Sequence, residues 1–420
     1  MRMLLYSMIL WLIPANLVAA TLSLDDCLAR ARNHNPALRV TRKDVGIAHE
    51  SIRQTDAALF PRIDAQGGYT AQLEAQAMKV AGQVMETQQP AYLFASLGVN
   101  YTLYDFGRRE ARRSSSRLNL DAVTFGLRNQ EQEVSLHVVE SYFGILETQR
   151  NITAATEELQ TVEEHRRVAQ ALYDAGSVTR NDLLQAEVRL ANARQQLLAR
   201  RNLLKNQYLM LSHLTGIPAA DPPQLAEPAP PAQLHTAPDR IVAIRQRPDL
   251  LALRKVVEMS EQGVRESQSA FYPELFSRLS LDYLENNKLR EQTIYGATVG
   301  IKFNLFDGFA STATRSKSVA AQSRATEQLR LAEEQAQLEI DTSANDLQVA
   351  FERIAVTKES IRQGEENLRI NQNRYKERVG TATEVLDAQT LLTQARTEHY
   401  RALYDYQRAA ARLRKATGDL

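Results

Sequence analysis

Cysteine is almost absent from this 420-residue chain: Cys27 stands alone, so no disulfide can form within it. Tryptophan is as scarce, with Trp11 the only one. An excess of one charge is lacking too. Lys and Arg total 51 against 50 Asp and Glu, a net charge of +1, which gives no electrostatic footing for nucleic acid. Past the N-terminus, no apolar run approaches the roughly 20 residues that a membrane-spanning helix needs. The histidines are scattered, without His-Glu-x-x-His or another ligand spacing, and no phosphate-cradling glycine loop occurs. "DFG" at 105–107 lacks the catalytic-loop and phosphate-loop partners of a kinase. The sequence therefore predicts no enzyme, no cofactor and no metal site.

What is present begins with a processing signature. Arg2 precedes the apolar run "LLYSMILWLIP", and small residues close it at "LVAA". This predicts a secretory signal peptide over residues 1–20, cleaved after Ala20. The run is too short to span a membrane as a helix. Its removal takes Arg2 and Trp11 with it and leaves the charges balanced. Cys27 lies beyond the cleavage point, which excludes a lipid-modified first residue.

The rest is duplicated. Asp105 and Asp307, Tyr173 and Tyr375, Ala186 and Ala388, and Gly216 and Gly418 share one offset. Pro36 with Pro248 and Pro61 with Pro273 share another, so the first half carries an insertion between Pro61 and Asp105. Fixed strand lengths confine such an insertion to a loop tip, here "EAQAMKVAGQVMETQQP" (74–90) against "LENNKLREQ" (284–292). The expected organisation is a first repeat over 21–216, a proline-rich connector over 217–240 that resists helix and central strand, and a second repeat over 241–420. Each repeat reads as a helix, two strands, a very long helix and a last helix.

In "LFASLGVNYTLYD", Leu93, Ala95, Leu97, Val99, Tyr101 and Leu103 share one face. In "YGATVGIKFNLFD", Tyr295, Ala297, Val299, Ile301, Phe303 and Leu305 do the same. Such alternation marks strands with one apolar face, as in a soluble sandwich or a lipid-facing wall. Four strands form no sandwich core of their own, and about eight is the practical minimum for a barrel. An exported chain must then pool them, and three copies supply twelve. Phe60 and Pro61, Tyr104 and Asp105, Tyr272 and Pro273, and Phe306 and Asp307 mark the membrane boundary where strand gives way to helix. With Phe106, Phe271 and Phe309, their rings suit an interfacial girdle, and equally a packed strand–helix junction.

The long helix over 107–172 spans roughly 99 Å, and the flanking helices 37–60 and 179–214 total roughly 90 Å, at 1.5 Å per residue. Two shorter helices end to end thus match one long one, as in the wall of a tube. Ile340, Leu347, Ile354, Ile361, Leu368 and Tyr375 recur every seven residues, as do Val138, Ile145, Ile152, Leu159 and Tyr173 with Arg166 interrupting. That repeat imposes left-handed supercoiling, in a tube or in a solid bundle.

"LDDCLARARNHNPAL", the two Pro-led strand starts, the paired boundary motifs, "YDAGSVTRNDLLQAE" and "YKERVGTATEVLDAQ" together resemble the TolC family of outer-membrane channels. The resemblance covers essentially all of residues 21–420. It implies a mainly α fold with a small β part: duplicated antiparallel helical hairpins forming an α-barrel, plus four strands per protomer in a trimeric twelve-stranded outer-membrane β-barrel. It also implies a passive exit duct in the outer membrane of a Gram-negative bacterium, its helices in the periplasm. The implied partners are two further copies in a homotrimer, a periplasmic adaptor (membrane fusion) protein, an inner-membrane pump of the RND or ABC class, and outer-membrane lipid. Drug efflux and type I protein secretion are both open.

By position, the family's closure at the periplasmic tip falls on Asp182, Glu384 and Asp387, beside the turns of Tyr173–Gly176 and Tyr375–Gly380. Three copies of an acid around an axis form a charged ring that favours cations. Acids at these positions also suit helix N-termini. Arg378 replaces the second turn's glycine and Gly380 stands where some members carry a latch arginine, which leaves Arg180 or Arg378 as substitutes. The rival reading is a periplasmic coiled-coil or adhesin-like protein without a pore.

Overall fold

A computed structural model describes residues 21–220, 222–229, 240–288, 290–377 and 379–420. The expected signal peptide lies outside these residues, as do Arg378 and much of the connector. The described residues form eight helices and six strands. The first half runs α1 (Leu24–His34), α2 (Pro36–Ala57), β1 (Arg62–Ala71), β2 (Ala77–Val80), β3 (Gln83–Glu86), β4 (Ala91–Tyr104), α3 (Arg108–Asp174) and α4 (Arg180–Thr215). The second runs α5 (Arg240–Gln246), α6 (Pro248–Ser269), β5 (Glu274–Leu284), β6 (Thr293–Lys302), α7 (Ala310–Lys376) and α8 (Ala382–Thr417). Partner helices match in length: α2 and α6 have 22 residues, α3 and α7 have 67, α4 and α8 have 36. The two strands expected in each half are present as β1 with β4 and β5 with β6, and the loop insertion of the first half folds in addition into the β2–β3 hairpin.

The chain divides into two compact units. One, Arg39–Gln130 with Ile241–Leu338, holds the strands. Its four-stranded antiparallel sheet has the order β1-β4-β5-β6. The register places Ile63, Val99, Leu279 and Ala297 in one cross-strand row, and Ala65, Leu97, Leu281 and Tyr295 in the next. Residues opposite one another in antiparallel strands share a face, so the apolar rows of single strands merge into one apolar face. That face is exposed, with Val299 at 71% and Ile301 at 70%. A register slip of one residue would send these side chains to the polar face. Among the described residues, nothing pairs with the outer edges of β1 and β6, and open edges of this kind call for partner strands.

The other unit, Met1–Leu38 with Glu131–Arg240 and Glu339–Leu420, is mainly helical in its described residues. α1 opens on a capping box, in which Asp26 N donates to Ser23 Oγ at 3.1 Å. The heptad positions Val138 and Ile145 of α3 and Ile340 and Leu347 of α7 are buried at 0–3% exposure. Full burial of such a side chain stabilises by about 1.5–3 kcal/mol. Tyr406 and Leu413 of α8 pack with Leu347. Near the N-terminus, Leu22 bridges Leu225 of the connector, and the buried Tyr142 hydroxyl donates to Ala226 O at 2.6 Å.

A one-sided ladder of charges joins α3 to α8. Glu133 meets Lys415 at 2.8 Å, Glu140 meets Arg412 at 3.0 Å, Glu147 meets Arg408 at 2.7 Å and Glu157 meets Arg396 at 2.7 Å. Every acid is on α3 and every base on α8. Burial works against the charge on Lys415, but its bonds to Glu133 and Glu339 outweigh that and hold its pKa above the ordinary lysine value.

Candidate functional site at the hairpin turns

Two turns in the helical unit, α3 to α4 and α7 to α8, gather the residues expected at the tip. Gly176 closes the first in the left-handed region at φ 67°, and its N–H donates to Tyr173 O at 2.9 Å. The second turn differs because Gly380 is held by closeness rather than by φ. A Cβ there would lie 3.0 Å from Arg374 Cβ and 3.1 Å from a Glu384 carboxylate oxygen.

The acids have distinct local roles. Asp182 is the third residue of α4 and completes a capping box, accepting from Thr179 N at 2.9 Å and Thr179 Oγ1 at 2.8 Å. Its side-chain bond to the Thr179 hydroxyl, then the backbone bond, holds its pKa below the ordinary aspartate value. Glu384 repeats the device in α8, accepting from Thr381 N at 3.0 Å, and also lies 3.6 Å from Arg374. Both caps stop the preceding break from fraying into the helix, which satisfies amide groups that would otherwise lack partners. Asp387 does something else: it bonds Arg189 of α4 at 3.1 Å, linking one hairpin to the other. Arg180 opens α4.

Between the hairpins lies a cavity of about 340 Å³, lined by His165, Leu172, Gln185 and Arg189 from one and by Tyr375, Thr383 and Leu386 from the other. Burial first, then the Arg189 charge, lowers the His165 pKa below its ordinary value. Arg189, Arg374 and His165 escaped the sequence reading. Arg189 lies one heptad after Asp182, a shared helix face that the sequence does carry.

The boundary motifs are built alike. Asp105 accepts from Arg109 N at 3.0 Å and Arg109 Nε at 2.9 Å. Asp307 accepts from Ser311 N at 2.9 Å and from its hydroxyl at 2.5 Å. After each acid, two residues take the left-handed region: Phe106 (53°) with Gly107 (85°), and Gly308 (66°) with Phe309 (68°). For phenylalanine that conformation is strained, and ring contacts offset it. Phe106 stacks on Tyr272 at 5.0 Å and meets Tyr104 edge-on at 4.7 Å, while Phe309 meets Phe306 at 5.6 Å. Phe60 and Tyr272 immediately precede Pro61 and Pro273, whose rings favour an extended chain before them, and β1 and β5 start one residue later.

The sequence profile described as outer membrane efflux protein matches residues 27–217 and 242–419. The chain belongs to the outer membrane efflux protein family. It is accordingly an outer-membrane protein of an efflux family, not an enzyme family. The outer membrane efflux protein BepC of Brucella suis is 23% identical over 311 residues, 72% of this chain and 65% of that protein. The alkaline protease secretion protein AprF of Pseudomonas aeruginosa is 30% identical over 155 residues, 35% of this chain and 32% of that protein. The matches thus span less than two thirds of either relative. The crystal structure of the outer membrane protein VceC from Vibrio cholerae superposes with a TM-score of 0.80 at 20% identity, covering 94% of this chain and 96% of that one. Members of the outer membrane efflux protein family and this chain thus share a fold of long helices with a small sheet.

Proposed function

We propose that this protein is a passive exit duct, three copies of which close a twelve-stranded barrel continued by a periplasmic tunnel of helices. The observation that carries the reading is the sheet of the strand-bearing unit: four strands, one continuous exposed apolar face and two open edges. Such a sheet is costly in water and is satisfied when its edges pair and its apolar face meets lipid. The rival coiled-coil reading gives that face no use. The residues of the aromatic junctions lie at the membrane boundary, and the loops 72–90 and 285–292 face outward.

The energy for export comes from a partner, an inner-membrane pump of the RND or ABC class joined through a periplasmic adaptor. At rest the duct is narrowed at the hairpin turns. Asp387, set against Arg189, holds one hairpin to the other, and three-fold symmetry makes the acids a ring. Asp182 and Glu384 border the same constriction while capping their helices. An exposed ion pair contributes only about 0.2–1 kcal/mol, so a partner's contacts suffice to separate the hairpins.

Purified protein should run as a heat-labile trimer and give single-channel currents in a planar bilayer. Asp387→Ala and Arg189→Ala should each raise the resting conductance while trimer yield is kept. A chain that never conducts refutes the duct, and a conducting chain with unaltered conductance in both variants removes this pair from the constriction.

A further inference from the structure

The polar face of the sheet has one row unlike the others. The register sets Arg62 of β1 opposite Asn100 of β4, Asn100 opposite Arg278 of β5, and Arg278 opposite Thr298 of β6. All four side chains offer hydrogen-bond donors and none is a carboxylate. The next row toward the loops holds Asp64, Gly98, Ser280 and Gly296. Asp64 is engaged with Arg62 at 2.8 Å. Beyond the other side of the row, Glu274 accepts from the Thr102 hydroxyl at 2.8 Å and stands opposite Lys302. Arg278 is exposed and makes no ion pair among the described residues. With neighbouring strands about 4.8 Å apart, Arg62 and Arg278 stand about 10 Å apart with the Asn100 amide between them. A cavity of about 700 Å³ opens beside Arg62 and Asn100 of the row, lined also by Lys302 and by Glu274 opposite it.

We infer that the Arg62–Asn100–Arg278–Thr298 row binds oxyanions, the phosphate, sulfonate or carboxylate groups of solutes passing through the barrel. The inference rests on the duct reading, because only a closed barrel turns the polar face inward and repeats the row three times. Guanidinium groups present planar forks that match oxyanions, and an amide N–H₂ between two of them completes a donor shelf. The spare cation is Arg278, since Arg62 is already matched by Asp64. A wall that holds anions briefly favours their passage over that of neutral solutes of the same size.

The test is block of single-channel current by inorganic tripolyphosphate added on the side of loops 72–90 and 285–292. Wild-type current should be blocked from that side, and Arg278→Gln should raise the blocking concentration about fivefold or more, the effect of one charge pair at contact distance in water. Arg278→Lys should keep most of the block. If Arg278→Gln does not assemble, Arg62→Gln on another strand removes a positive charge from the row, uncovers Asp64 and should raise the blocking concentration in the same direction. A pore that conducts yet ignores tripolyphosphate, or is blocked equally in both glutamine variants, overturns the oxyanion row and leaves the duct reading standing. Absence of any wild-type current sinks the duct reading and this inference with it.

Discussion

His165 stands where two cations would compete. Its imidazole lines the cavity between the hairpin turns beside Arg189, and burial with that charge depresses its pKa from the ordinary 6.5. A depressed histidine favours the folded, neutral arrangement at higher pH. That contribution is lost as pH falls below 6.5 and through the lower native value. Asp182 acts in the same direction at lower pH: its cap is fully effective above the ordinary aspartate value near 3.9 and fails as pH drops through its depressed pKa. Acidification below pH 6.5 should therefore loosen the cavity through His165 first, as burial and the neighbouring Arg189 guanidinium both disfavour the imidazolium. A tryptophan at Thr383, the only one in residues 21–420, should shift its emission to the red over that range. The shift should vanish with His165→Gln, and a shift that persists would assign the loosening to another group. At this scale the sequence was half legible. The positions of Asp182, Glu384 and Asp387 were readable, but their separate tasks were not, because a capping box and an inter-hairpin bond differ only in three-dimensional partners. The heptad spacing places Arg189 on the face of Asp182, but its pairing with Asp387 joins residues from different halves, which no spacing within one helix encodes.

Among the elements, the sheet strands were legible because one face of each is predominantly apolar, uniformly so in β4 and over 295–301 of β6. The β2–β3 hairpin was not. Its strands are four residues each, and all eight residues are exposed. With no core to alternate against, Met78 opposite Met85 and Lys79 opposite Val84 carry no period-two signal. Side-chain bonds from outside the hairpin anchor its base, where Asn286 Nδ2 donates to Thr87 O at 2.9 Å. Helix ends were readable within a few residues, since Pro36, Pro248, Gly216 and Gly418 punctuate them. The apolar face leads to a quantitative expectation. Val299→Arg, at 71% exposure on that face, should destabilise the barrel by about 2–4 kcal/mol if it lies near the bilayer midplane. Reversible unfolding from lipid vesicles measures this, and a cost below about 0.5 kcal/mol would contradict lipid contact there.

At the scale of the whole molecule, duplication was the most legible feature, and the matched 67- and 36-residue helices express it directly. What the repeat pattern concealed is that the two halves are not interchangeable. Glu133, Glu140, Glu147 and Glu157 line α3, while Lys415, Arg412, Arg408 and Arg396 line α8. The halves are thus complementary, as a key is to its lock. A gene cut within the connector, residues 217–240, would yield two polypeptides, one showing an acidic stripe and the other four bases, of which Lys415, Arg408 and Arg396 keep one acid of their own half in Glu339, Asp405 and Glu365. Attraction of that kind speeds encounter and fails with salt. Co-expressed fragments should reassociate into the native assembly, and reassociation on mixing in vitro should slow several-fold between about 50 mM and about 500 mM salt. Charge reversal of all four acids should abolish the reunion, and simultaneous reversal of the four bases should restore it. Each half of this chain thus carries along one helix the charges that the other half's helix lacks.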